Sequence, residues 1–104
     1  MRFDERQHVL IAYFTEYRLR DEHLIKQTGE ELNQLVGRVS DGKRLVLDFT
    51  AVQSVSSEMV GVFVVFNKTC RAAGVDLRFR NICPAVMEVL CLAKLDKVLD
   101  IDGV

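Results

Sequence analysis

Hydrophobic and polar positions alternate with different periods along the chain, and the changes of period mark the elements. Residues 8–15, HVLIAYFT, form a short apolar run rich in residues that suit strands. A shorter segment at residues 2–6 is expected to pair with it as a hairpin. From Asp21 the spacing becomes helical. Leu24, Ile25, Thr28, Leu32, Leu35, Val36 and Val39 fall on one face, and Glu22, Lys26, Glu30 and Asn33 lie away from it. Asp21 is suited to cap this helix by accepting a backbone N–H, with Glu22 adding favourable charge in the first turn. A turn at Ser40-Asp41-Gly42 follows.

Residues 44–50, RLVLDFT, are apolar on both faces and predict a central strand. Residues 75–81, VDLRFRN, alternate strictly. Val75, Leu77 and Phe79 face one way, and Asp76, Arg78 and Arg80 the other, so one side of the sheet is at least partly wet there. Between these strands MVGVFVVF has the composition of a strand, yet a serine pair precedes it and Gly74 stands where a helix would be capped. These ends predict a helix over 59–74, apolar nearly all round in its early turns and therefore buried. Pro84 suits the first turn of a further helix through Ala85, Val86, Val89 and Leu90. A last turn around Leu95–Val98 leads to Ile101 near the exit. The order strand, helix, strand, helix, strand, helix predicts an α/β domain over residues 1–104. Its small sheet is mixed and partly parallel, with the helices mainly on one face.

Composition narrows the function more than it names it. The chain has 104 residues, 49% of them apolar, and a net charge of −1 with both signs interspersed. That is an ordinary globular composition, with no general affinity for nucleic acid or anionic lipid. The charged start, MRFDERQH, does not read as a signal peptide, and no apolar stretch is long enough to span a membrane. A cytoplasmic protein is expected. Cys70, Cys83 and Cys91 form no C-x-x-C pair and are expected as reduced, mostly buried thiols. Neither a G-x-G-x-x-G nor a Walker loop occurs, and His8 and His23 have no ligand spacing with the cysteines. Ser57 sits in no nucleophile elbow, Cys83 has no evident base, and Glu30-Glu31 are neighbours on a solvated helix face. No catalytic group, metal or cofactor is assigned.

The serines of SVSSEMVGVF have two physical readings. Ser56 can cap the helix that begins at Ser57, which is reason enough for its presence. Ser57 would then be exposed in the first turn, at the carboxyl end of the central strand, where strand-helix folds meet their ligands and partners. A phosphoryl group there would lie in the favourable field of the helix and would alter the surface rather than the fold.

The ordered run RLVLDFTAVQSVSSEMVGVFVVFNKTCRAAGVDLRFRNICPAVMEVLCLAKLDKVLDI resembles the STAS domain of anti-sigma factor antagonists. The features that carry the likeness are a strand ending in an Asp-containing segment, a serine motif, an apolar helix, a glycine, a strand, and a helix opening near proline. A leucine-rich turn, Leu92-Ala93-Lys94-Leu95-Asp96, closes the run. The resemblance covers about residues 9–101. It implies a regulatory module that binds an anti-sigma factor, itself a serine kinase of the ATPase-like type, in its unphosphorylated form. In the family's D-S-S-G pattern the aspartate falls on Ser56, the phosphoacceptor on Ser57, the second serine on Glu58 and the glycine on Met59. The later glycine matches Gly61, and Asp21 corresponds loosely to an acidic residue near the partner surface. The resemblance therefore implies partner contacts at Asp21, Ser56, Ser57, Glu58 and Met59, with Met59 adding bulk where the family has none. The alternatives are a scaffold or small-ligand module of the same fold without a switch, and an enzyme using Cys83 or Ser57 as nucleophile.

Overall fold

A computed structural model describes residues 1–39 and 43–102 of the chain. The elements, in chain order, are β1 (Arg2–Arg6), β2 (Val9–Tyr13), β3 (Arg18–Leu19), α1 (Glu22–Arg38), β4 (Arg44–Asp48), β5 (Ser54–Val55), α2 (Ser57–Ala72), β6 (Asp76–Arg80), α3 (Pro84–Leu92) and β7 (Ile101–Asp102). The main sheet has the order β1-β2-β4-β6-β7. Its β2–β4, β4–β6 and β6–β7 pairs are parallel, and β1 joins β2 antiparallel as the expected hairpin. β4 lies at the centre, as its two-sided apolar pattern requires. The turn expected at Ser40-Asp41-Gly42 lies outside the described residues.

One face of this sheet carries the core. Leu10, Ala12, Leu45, Leu47, Leu77 and Phe79 pack in one cluster with Leu32 and Leu35 of α1, Phe63 and Phe66 of α2, and Val86 and Leu90 of α3. The helices therefore cover the same side. Phe14, Phe49, Phe63 and Phe79 meet at its centre with ring centroids 4.8–6.0 Å apart, tilted or edge-on rather than stacked face to face. Among the described residues no helix lies over the other face, yet Ile11 and Val46 are each only 6% exposed. Arg6, Arg44, Arg80 and Tyr13 line the shallow depression over these two residues. Arginine stems can cover apolar floor while their heads stay wet, which explains how an open sheet hides its middle.

Both long helices begin where the caps require. Asp21 accepts from His23 N–H at 3.2 Å at the head of α1, and Ser56 accepts from Met59 N–H at 3.2 Å at the head of α2. After α2 the chain turns at Gly74, whose φ of +74° lies in the left-handed region that glycine enters without a Cβ clash. The structure corrects the sequence reading at α2 and adds to it in two places. α2 is not buried all round: Met59, Val60, Phe63, Phe66, Asn67 and Cys70 form its inner face, while Val65 is 64% exposed. Ile101, near the exit of the chain, pairs with Phe79 in the edge strand β7. The short strands β3 and β5, too brief to show a period, form a second, two-stranded parallel sheet.

Candidate functional site

That small sheet sets up the site. Arg18 pairs with Ser54 and Leu19 with Val55, and Ser56 N–H then donates to Leu19 O at 3.1 Å. Ser56 follows β5 directly and caps α2, and Asp21, one residue beyond Arg20 after β3, caps α1. Two helix N-termini, each with free N–H groups and a partial positive charge, are thus held side by side at one rim. Arg20 clamps the arrangement, its Nη1 donating to Ser54 Oγ at 3.0 Å and to Val55 O at 3.0 Å.

Of the residues the sequence singled out, Asp21, Ser57 and Glu58 are exposed at this rim, and Ser56 is half-buried with its hydroxyl engaged as a cap. Met59 is different. It is fully buried, one helical turn before Phe63 on the inner face of α2, so its bulk fills the core and is not presented to a partner. Gly61 is exposed on the outer face, beside an open apolar groove between α1 and α2 with a volume of about 490 Å³. Glu58 stands at one end of that groove, and Val62 and Val65 line it.

Cys83 is half-buried at the head of α3, where its side chain makes no cap; its Sγ lies 3.8 Å from Gln53 O. Among the described residues no group of His, Cys, Asp or Glu is placed to hold a metal ion.

A second constellation, which the sequence did not reveal, lies at the carboxyl end of β4. Asp48 is 2% exposed, and both its oxygens are fully engaged. Oδ1 accepts from the Thr50 N–H at 2.8 Å and from the Thr50 hydroxyl; Oδ2 accepts from Arg80 Nε at 2.7 Å and Asn81 Nδ2 at 3.0 Å. Burial by itself would raise the Asp48 pKa, but the bonds from Thr50, Arg80 and Asn81 outweigh it and hold the carboxyl below its usual range. Arg80 also donates from Nη2 to the Tyr13 hydroxyl at 3.2 Å, so β2, β4 and β6 are tied together at this edge. Asn81 accepts a φ of +57° to make its contact, a conformation asparagine tolerates better than most residues. Beside Asp48, a cavity of about 660 Å³ opens between β1 and the ends of β2 and β4, lined among others by Arg2, Tyr13, Thr15 and Thr50.

The model of the STAS domain family matches residues 8–103, and the chain belongs to that family. No curated protein sequence matches it significantly. Among solved structures it is similar to TM1081 of Thermotoga maritima, a proposed anti-sigma factor antagonist, with a TM-score of 0.81 and 18% identity over 99% of this chain and 86% of that one. It is also similar to the anti-sigma factor antagonist SpoIIAA in its unphosphorylated form, with a TM-score of 0.76 and 13% identity over 98% and 87% of the two chains. A sulfate transporter family protein of Wolinella succinogenes has the same fold, with a TM-score of 0.73 and 11% identity over 95% and 80%. Among the described residues no helix is long and apolar enough to cross a membrane.

Proposed function

We propose that this chain is a regulatory protein-binding module of the anti-sigma factor antagonist kind, acting in the cytoplasm without catalysis of its own. It binds an anti-sigma factor that is a serine kinase of the ATPase-like type, and phosphorylation of Ser57 ends that binding. The observation that carries this reading is the division of labour within the serine pair. Ser56 is spent on the cap, while Ser57 is exposed on a rim that also presents Asp21 and Glu58. A phosphoryl group adds close to two negative charges at neutral pH. On an exposed first turn it changes what a partner meets and leaves the core alone. SpoIIAA, which shares the fold, is known in an unphosphorylated and a phosphorylated form. Glu58 brings a carboxylate next to the acceptor, and with Asp21 gives the rim an acidic character before any modification.

The direct test is mass spectrometry of the protein isolated from its host, where a phosphate localised to Ser57 is the expected result. Its absence under every growth condition would leave the second reading, a constitutive or small-ligand module. The cavity beside Asp48 favours that reading, because it opens at the carboxyl ends of parallel strands, where such sheets receive ligands.

A further inference from the structure

Arg20 is a cation built into the junction between the two helix heads. Its Nη1 is committed to Ser54 Oγ and Val55 O, each at 3.0 Å. Among the described residues, its Nε and Nη2 have no hydrogen-bond partner. The guanidinium is therefore fixed at one edge and open at another, which is the state in which an arginine fork costs least to use.

Its position relative to Ser57 follows from the chain. Val55 O, which it already touches, is separated from Ser57 by Ser56 alone, and Ser56 is extended with φ −88° and ψ 164°. Successive Cα atoms are about 3.8 Å apart, so Ser57 Cα is at most about 7 Å from Val55 Cα. A phosphoseryl side chain extends a further three bonds to phosphorus and presents oxygens beyond it, and Arg20 is the cation already bonded two residues before Ser57. On phosphorylation the Ser57 Oγ–H bond is replaced by Oγ–P. The phosphoryl group comes from a nucleoside triphosphate on the kinase, which keeps the diphosphate and takes the proton.

We propose that Arg20 is the intramolecular counter-ion of a phosphoryl group on Ser57, its free fork edge holding that group at the junction of α1 and α2. The proposal rests on the reading of Ser57 as a phosphoacceptor and adds what the phosphate does once present. Charge-assisted bonds between guanidinium and phosphate are short and directional. The modification thus withdraws the rim's fixed cation at the same moment that it adds negative charge beside Asp21 and Glu58. A partner that uses Arg20 as an anchor for its own carboxylate loses it. The modified rim becomes acidic in effect as well as in count.

The test installs phosphoserine at position 57 during translation, so it does not depend on any kinase, and follows the second phosphate ionisation by phosphorus NMR. Asp21, Glu22 and Glu58 raise that pKa and are unchanged between samples; the comparison isolates Arg20. Arg20→Gln is expected to raise it by about half a unit, the scale of an exposed ion pair. Arg18→Gln, which removes a neighbouring cation stacked on Tyr17, is expected to move it much less. In the phosphorylated wild type, the Arg20 Nε–H resonance is expected to shift as the phosphate titrates, a readout that needs no variant. Identical titration of wild type and Arg20→Gln, an equal shift from Arg18→Gln, or an unmoved Arg20 resonance would each overturn the proposal. A host in which Ser57 is never phosphorylated would instead remove the functional reading and leave this interaction measurable.

Discussion

Arg20 Nη1 and Ser54 Oγ stand 3.0 Å apart, and through that bond the segment before α1 is tied to the segment before α2. The rest of the site is a consequence. Once Leu19 and Val55 are in register, the caps Asp21 and Ser56 are brought to one rim, and Ser57 is exposed in the first turn beside Ser56.

The two serines should separate cleanly in stability measurements. Ser56→Ala removes the bond to Met59 N–H, and loss of an N-cap costs about 1 kcal/mol. Ser57→Ala touches an exposed first-turn residue and is expected to stay within about 0.5 kcal/mol of wild type. Urea midpoints of the two variants check this, and equal losses would contradict the assignment of roles.

Asp48 is a buried, acid-sensitive point of the fold. Its carboxyl is held below the ordinary value, so the stability it provides is present above about pH 4 and is lost as pH falls through the folded-state pKa. Asp48→Ala leaves Arg80, Asn81 and Thr50 without their acceptor and should cost about 2–3 kcal/mol at neutral pH. Denaturation midpoints at pH 7 and pH 3 should fall further in wild type than in Asp48→Asn, which has no carboxylate to protonate.

Much of this was legible in the sequence, and the reasons differ by element. The helical stripe from Leu24 to Val39 and the strict alternation of residues 75–81 are strong periods, and both elements form as read. α2 has strand-like composition, yet its ends decided the matter: Ser56 caps it and Gly74 takes the left-handed turn after it. β3 and β5 are two residues each and exist only because they pair with one another, so no local pattern announces them. The role of Arg20 depends on that pairing and was hidden with it. Met59 was misread because its direction depends on the phase of the helix, which the Phe63 and Phe66 packing fixes from the far side.

Thiol chemistry should follow burial. Cys70 is fully buried, and its pKa is pushed up to about 11 by desolvation, whereas Cys91 is exposed. In the native protein, Cys91 is expected to react with an aromatic disulfide reagent and Cys70 only after denaturant is added. Fast native labelling at Cys70, located by peptide mapping, would contradict the packing of α2.

Phe63 joins α2 to the sheet through edge-on contacts with Phe14, Phe49 and Phe79. Phe63→Ala should therefore cost about 3–5 kcal/mol, seen as a large drop in the urea midpoint. A loss below about 1 kcal/mol would mean that the aromatic cluster is not the centre of the core.

Capture from the host lysate on wild type, Ser57→Ala and Ser57→Asp, with bound proteins identified by mass spectrometry, separates a switch at Ser57 from a plain helix start. A protein carrying an ATPase-type serine kinase domain is expected to be held by wild type and Ser57→Ala and released by Ser57→Asp, while all three baits melt at nearly the same temperature. Retention of the same proteins by all three baits would contradict it, leaving Ser56 and Ser57 as the start of a helix and nothing more.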